Sequence, residues 1–407
     1  MSVLFFQVAR RHPSESMIKL LVVIAQNHSS RVLITGATGY LAMHCIQQLL
    51  QQGYKVRGTV RDFNCSEKIH PLRQLANNDQ LELFCAALED GADLWEKAAA
   101  GCTYVLHVAS PCEMIADKAI VKTAVRGTLN VLRGASQQRC VRKVVLTSSL
   151  GHKKRAKPFT ENDWTNLNWK HLHPYHRSKT LAERVAWSFM EKNPDVCFSL
   201  TVLNPTLIVG PLLQNTKGAS VTIISRFLDG SMPAYPQMKF GLVDVRDVAR
   251  AHILAMKETK SDGQRILINA ETLSFRQIAK ILREEFAKQG YSVPRFKIPY
   301  LVLWLCARVD NEALQALPFY GHEDNFDNSK ANFLLFFLEK FCVYTSNTIV
   351  PVRLLISFCV NEFQGFQLLG MSYHDVRKSL IEMAYDMIER NILPKSKKYV
   401  EEKKTLI

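Results

Sequence analysis

A chain of 407 residues with 47% hydrophobic side chains is long enough to bury a large core, which excludes a disordered chain and leaves room for more than one packed unit. The net charge of +15 raises nucleic acid or an anionic membrane as partners, but much of it lies in two short runs, His152–Lys157 and Lys395–Lys404, with no nucleic-acid-binding pattern around them. Ten cysteines occur without Cys-x-x-Cys spacing or a convincing secretory signal, which points to free thiols in a reducing, cytoplasmic compartment.

In chain order, residues 1–29 read as a poorly ordered extension, since the apolar run Met17–Ala25 is too short to span a bilayer. Arg31–Thr35 is a short β-branched apolar run, suited to a buried parallel strand. Gly36-Ala-Thr-Gly39 then forces a tight turn, and Tyr40–Gln52 has helical spacing, with Leu41, Cys45, Ile46 and Leu49 on one side. The spacing Gly36-x-x-Gly39-x-x-Ala42 supplies a turn glycine, a glycine for close backbone approach and a small residue for helix–strand packing. The free N–H groups at the helix start suit a dinucleotide pyrophosphate.

Lys55–Val60 follows as the second strand, and the residues after it select the cofactor. Arg61 offers a planar fork for the extra phosphate of NADP and Lys68 a further positive charge, whereas Asp62 keeps a ribose contact of NAD open; the balance favours NADP. Leu81–Cys85, Tyr104–Ala109 and Val144–Thr147 read as further strands. The last delivers Thr147, Ser148 and Ser149 to the strand ends that line the ligand crevice of a doubly wound sheet, so hydroxyls facing a cofactor are expected there.

Tyr175 and Lys179 are four residues apart at the start of a helix running to about Asn193, hence on one face. An adjacent ammonium stabilises a phenolate, so Tyr175 can protonate a carbonyl oxygen as a hydride arrives, with Ser149 hydrogen-bonding the same oxygen. His171, His173 and His176 surround this tyrosine. They lack the i, i+4 ligand spacing and a carboxylate or cysteine partner, so no metal is expected.

Beyond Ser199–Asn204 and a loop over Pro205–Pro211, the chain is expected to leave the sheet. The helix Val245–Lys257 and the strand Arg265–Ile268 are expected to return to it, and Phe275–Ala287 has helical spacing.

Several stretches in one order carry a family resemblance. They are Thr35-Gly-Ala-Thr-Gly-Tyr-Leu-Ala, Val56-Arg-Gly-Thr-Val-Arg-Asp, Val105-Leu-His-Val-Ala-Ser-Pro and Gly127-Thr-Leu-Asn-Val-Leu. Lys143-Val-Val-Leu-Thr-Ser-Ser, Tyr175-His-Arg-Ser-Lys-Thr-Leu-Ala-Glu, Asn204-Pro-Thr-Leu-Ile-Val-Gly-Pro and Val243-Asp-Val-Arg-Asp-Val-Ala complete the set. Over about residues 30–330 the chain resembles the extended short-chain dehydrogenase/reductases, in the branch of dihydroflavonol reductases, cinnamoyl-CoA reductases and yeast-type ketone/aldehyde reductases.

The resemblance implies an α/β fold: a Rossmann-like doubly wound parallel sheet over 30–210, with a smaller C-terminal substrate-binding lobe over 211–393 whose 243–270 stretch rejoins the sheet. It implies Ser149, Tyr175 and Lys179 as a catalytic triad. NADP contacts would come from Gly36, Thr38, Gly39, Tyr40, Leu41, Arg61, Lys68, Val108, Ala109, Ser110, Tyr175, Lys179, Pro205, Thr206, Leu207 and Ile208. Two departures stand out: Ala42 replaces a usual glycine, and Ala87 replaces an aspartate near the adenine.

Asp327-Asn-Ser-Lys-Ala resembles a stretch that normally runs straight into Leu369-Gly-Met-Ser-Tyr. The intervening 332–367 is either a binding insertion or translated intron; it ends Phe366-Gln367, as a pyrimidine-rich tract with an AG acceptor would encode. Residues 394–407 read as a solvated basic tail.

The expected function is NADP-dependent reduction of a small-molecule aldehyde or ketone, without nucleic acid or stable membrane insertion. A sugar-nucleotide epimerase or dehydratase using NAD, a 3β-hydroxysteroid dehydrogenase and a non-catalytic NADP sensor remain as alternatives.

Overall fold

The structure, a computed structural model, describes residues 29–76, 79–111, 119–150, 158–170, 172–216, 218–321, 325–326 and 371–399. The expectations for residues 1–28, the basic run 152–157, His171, the insertion 332–367 and the tail from 400 onward fall outside the described residues.

Strands β1 (Arg31–Ile34), β2 (Lys55–Val60), β3 (Leu81–Cys85), β4 (Tyr104–His107), β5 (Lys143–Thr147), β6 (Ser199–Pro205) and β9 (Arg265–Ile268) form one parallel sheet in the order β3-β2-β1-β4-β5-β6-β9. The order reverses between β1 and β4, the place where an open α/β sheet leaves a crevice at its strand ends.

Side chains alternate along each strand. Val32 and Ile34 join one buried cluster and Leu33 the other; Val145 is likewise separated from Val144 and Leu146. Helices α1 (Tyr40–Gln51) and α7 (Val245–Lys257) fill the first face. The second is covered by α3 (Ala92–Ala99), α4 (Ala119–Ser136) and α5 (Pro174–Lys192). Both faces are therefore apolar, which explains why the strands read as continuous hydrophobic runs.

The expected loop after Asn204 is instead more ordered. Leu207–Val209 is a short strand, β7, pairing parallel with β8 (Lys239–Asp244), which pairs antiparallel with β10 (Glu271–Ser274). Pro205 lacks an N–H, yet it ends β6 and the chain steps into the second sheet within two residues. A third apolar cluster gathers on this smaller sheet around Phe227, Phe275, Leu282, Phe286, Leu380 and Met383.

The Val243-Asp-Val-Arg-Asp-Val-Ala stretch acts as a joint. Asp244 caps α7, accepting from the Arg246 N–H and guanidinium and from Ser379 Oγ at 2.6 Å. Burial pushes the Asp244 carboxyl up, but those bonds outweigh it and hold the group below the usual carboxylate range. Arg246 also pairs with Glu382, while Asp386 accepts from the Leu212 N–H. Helix α11 (Val376–Glu389) is thereby bound to the sheet domain by groups that would be costly to bury unpaired.

No helix among the described residues is long and apolar enough to cross a membrane.

Candidate active site

The glycine turn is shaped by contact as well as conformation. Gly36 has φ +67°, and a Cβ there would lie 3.0 Å from Ala109 Cβ, so a larger residue would push the end of β4 off the start of α1. Thr35 Oγ1 accepts from the Ala109 N–H at 2.9 Å and turns its own proton to His107 Nδ1, also at 2.9 Å. The other ring nitrogen, Nε2, then donates to Thr128 at 3.3 Å. Burial, with the Lys179 charge as a second cause, lowers His107 to about 3, so the ring is neutral and holds Ala109 beside the turn.

Helix α1 starts at Gly39 with no side-chain cap and no acidic residue in its first turn. Its first N–H groups and positive dipole are open to an anion. Thr38 offers its carbonyl to Gln214, the Tyr40 hydroxyl donates to the Gly210 carbonyl at 2.8 Å, and His44 Nε2 donates to Pro211 at 3.0 Å. These bonds tie the turn to the 210–214 stretch, which sequence reasoning missed because the partners are more than 160 residues apart. Leu41 is buried on the same helix, and Val108 and Ile208 pack against that cluster.

Arg61 directly follows β2 and Lys68 lies in the next helix, Ser66–Arg73; both are exposed, and neither has a carboxylate partner among the described residues. Asp62 turns its carboxylate onto the Asn64 N–H at 2.8 Å, closing a local turn. The Ala87 N–H is taken by Asp90 at 2.7 Å.

The end of β5 corrects one expectation. Thr147 and Ser148 are buried, and both hydroxyls are taken by partners within the fold. Thr147 Oγ1 donates to His252 Nε2 at 2.6 Å; the ring's Nδ1 proton goes to the Val248 carbonyl at 2.7 Å. Ser148 Oγ donates to Glu183 at 2.6 Å. The reason is the pleat and the strand's burial on both faces: any hydroxyl carried there must find a partner inside. Ser149, the next residue, is only partly buried.

Helix α5 begins with Pro174, and Tyr175 follows in its first turn. His173 is the cap, its Nδ1 accepting from the Tyr175 N–H at 3.2 Å. The Tyr175 ring is half-buried, edge-on to His176 at 5.3 Å, and His176 in turn meets Phe319 at 6.3 Å. One turn on, buried Lys179 donates from Nζ to the Thr147 carbonyl at 3.2 Å. A small cavity is lined by Ala109, Ser110, Thr147, Ser148 and Lys179, bringing the ends of β4 and β5 to this helix. At the end of β6, the Thr206 N–H donates to the Ile268 carbonyl at 3.0 Å, so Pro205–Leu207 turns over the edge of β9. No group of metal-ligating side chains is present among the described residues.

The cradle, the open helix start and the two exposed bases that follow β2, Arg61 and Lys68, fit a dinucleotide with an added phosphate. Comparison with known proteins agrees with that fit. The NAD dependent epimerase/dehydratase family matches residues 32–270. A cinnamoyl-CoA reductase of Medicago truncatula is 35% identical over 64% of this chain and 82% of its own. A putative NADPH-dependent methylglyoxal reductase of Candida albicans is 29% identical over 75% of this chain and 99% of its own. The crystal structure of Gre2 in complex with NADPH from Candida albicans superposes with TM-score 0.65 at 26% identity, over 89% of this chain and 99% of its own.

Proposed function

The chain belongs to the NAD dependent epimerase/dehydratase family, and from that premise we propose that it reduces a small-molecule aldehyde or ketone with NADPH, Tyr175 giving the proton. It is an enzyme of the extended short-chain reductase type, and NADPH is its cofactor. The relatives compared above are reductases, and one is NADPH-dependent by name.

The observation that carries the reading is the bond from Lys179 Nζ to the Thr147 carbonyl. It brings the ammonium of the Tyr-x-x-x-Lys helix to the strand end bearing Ser149, beside the switch-point crevice.

The reduced nicotinamide, when bound, supplies the hydride. The residues of this chain do the rest. Gly36, Gly39 and the N–H groups at Tyr40 and Leu41 receive the diphosphate. Arg61 and Lys68 receive the additional phosphate. Lys179 holds ribose hydroxyls and favours the Tyr175 phenolate, which makes Tyr175 a usable proton donor near neutral pH. Ser149 Oγ donates to the carbonyl oxygen on which charge develops. Val108–Ser110 and Pro205–Ile208 wall the crevice. The division into a nucleotide domain over 30–210 and a substrate lobe over 211–393 belongs to the same reading.

The decisive experiment follows loss of NADPH with the purified protein against a panel of aldehydes, ketones and acyl-CoA thioesters. Turnover of at least one carbonyl is expected, and Ser149→Ala lowers kcat by about 10²-fold, the usual loss when one preorganised donor to an oxyanion is removed. Tight NADPH binding with no turnover across the panel would instead favour a cofactor sensor.

The phosphate assignment has its own test. Arg61→Glu weakens NADPH binding by roughly 10²-fold, through the lost charge-assisted bonds and the added repulsion, while NADH binding changes by less than about threefold. Dissociation constants for both cofactors decide it, and an equal loss for the two would show that Arg61 does not read the phosphate.

A further inference from the structure

The catalytic helix carries a third polar residue in register with the first two. Tyr175, Lys179 and Glu183 are spaced i, i+4 and i+8, so all three share one face of α5. Glu183 is 1% exposed, an unusual place for a carboxylate. It accepts from Ser148 Oγ at 2.6 Å and from Asn204 Nδ2 at 3.0 Å on one oxygen, and from Trp187 Nε1 at 3.2 Å on the other. Arg265 neutralises it from β9, and the guanidinium is fixed in turn by the carbonyls of Glu161 and Asp163 and by the Trp164 ring, 3.8 Å away.

Asn204 extends the connection to the site. Its Nδ2 donates at 3.0 Å to the Ser149 carbonyl as well as to Glu183, while its Oδ1 is buried with no hydrogen-bond partner. Both amide protons are thus committed to the Glu183–Ser149 bridge at the expense of the acceptor. Three consecutive residues leaving β5 are therefore held from this helix: the Thr147 carbonyl by Lys179, the Ser148 hydroxyl by Glu183, and the Ser149 carbonyl by Glu183 through Asn204.

We infer that Glu183, acting through Asn204, is a positioning residue that fixes the main chain of Ser149 against the helix carrying Tyr175 and Lys179. The inference rests on the reading of Ser149 as the donor to the reacting oxygen. The Glu183 carboxylate is committed to Ser148, Asn204, Trp187 and Arg265, so it acts through them. Its effect is geometric, because a donor displaced by a fraction of an ångström loses much of its worth in the transition state.

The test is a double-mutant cycle. Glu183→Gln keeps the shape but removes the charge and places an amide where one donor is now accepted. It is expected to lower kcat about tenfold with KM for NADPH within twofold of wild type. In a Ser149→Ala background, where there is no hydroxyl left to misplace, the same change lowers kcat by less than twofold. Because Arg265 would lose its partner, Glu183→Gln could fail to fold. Asn204→Ala leaves the Glu183–Arg265 pair intact and removes the amide that joins Glu183 to the Ser149 carbonyl, so it is expected to give the same non-additive pattern. Equal losses in the two backgrounds, or a raised KM for NADPH with kcat unchanged, would overturn the inference. Failure of the underlying reading looks different: Ser149→Ala alone would then retain full activity.

Discussion

Replacing Tyr175 with phenylalanine is expected to lower kcat by about 10³-fold, inside the range of 10²–10⁴ typical of a positioned general acid, while the NADPH dissociation constant stays near that of the wild type. Only one oxygen is removed. The ring keeps its edge-on contact with His176 at 5.3 Å, and the main chain keeps its bonds: the N–H to His173 and the carbonyl from Ser178 at 2.7 Å. The fold and the cofactor cradle are thus left as they are. Single-turnover hydride transfer with a saturating aldehyde or ketone isolates the step from product release. Near-full activity in Tyr175→Phe would remove the proton-donor assignment and leave the nucleotide cradle without chemistry.

Acid is expected to destabilise the fold well before its carboxylates titrate. Burial lowers His107 to about 3, and His44 and His252 each to about 4, the Lys179 charge adding to the effect at His107 and His252. In the unfolded chain these rings take up protons near pH 6.5. The sign follows: below about pH 6.5 the unfolded state binds protons that the folded state refuses, so stability falls as pH falls. The loss continues until the folded values near 4 and 3 are reached. Each ring contributes about 1.4 kcal/mol per pH unit in that window, so the three together give roughly 4 kcal/mol between pH 7.5 and 5.5. Urea midpoints measured at the two pH values test this; a change under about 1 kcal/mol would show that the rings protonate inside the fold. Within the folded protein both rings stay neutral through that window, so the Thr35–His107 and Thr147–His252 bonds persist there.

Local chemistry made much of the fold legible from sequence. β-branched runs bounded by turn residues located β2 and β3 to the residue, and β1 to within one residue. The helix Val245–Lys257 followed from its helical spacing. The glycine spacing was readable for the same reason, since a positive φ and a close approach demand a residue type at a position rather than a partner elsewhere.

The second sheet was not legible. Leu207–Val209 is too short to show a period, and it exists as a strand only because β8, about 30 residues later in the chain, lies alongside it. Strand ends were similarly misjudged: a sequence shows that Thr147, Ser148 and Ser149 carry hydroxyls, but the direction of each depends on what packs opposite. His252 from α7 and Glu183 from α5 take the first two inward.

Residue type and local spacing carry the chemistry proposed for this chain: a glycine turn at Gly36–Gly39, bases at Arg61 and Lys68, and a tyrosine and lysine on one helical face. Which buried polar groups hold those residues in place is set only when distant elements pack together. His107, Asn204, Gln214, Asp244 and Arg265 each find one partner at least 55 residues away. A buried hydrogen bond is specified by which donors and acceptors meet after the core has closed, and no local period in a sequence records that meeting.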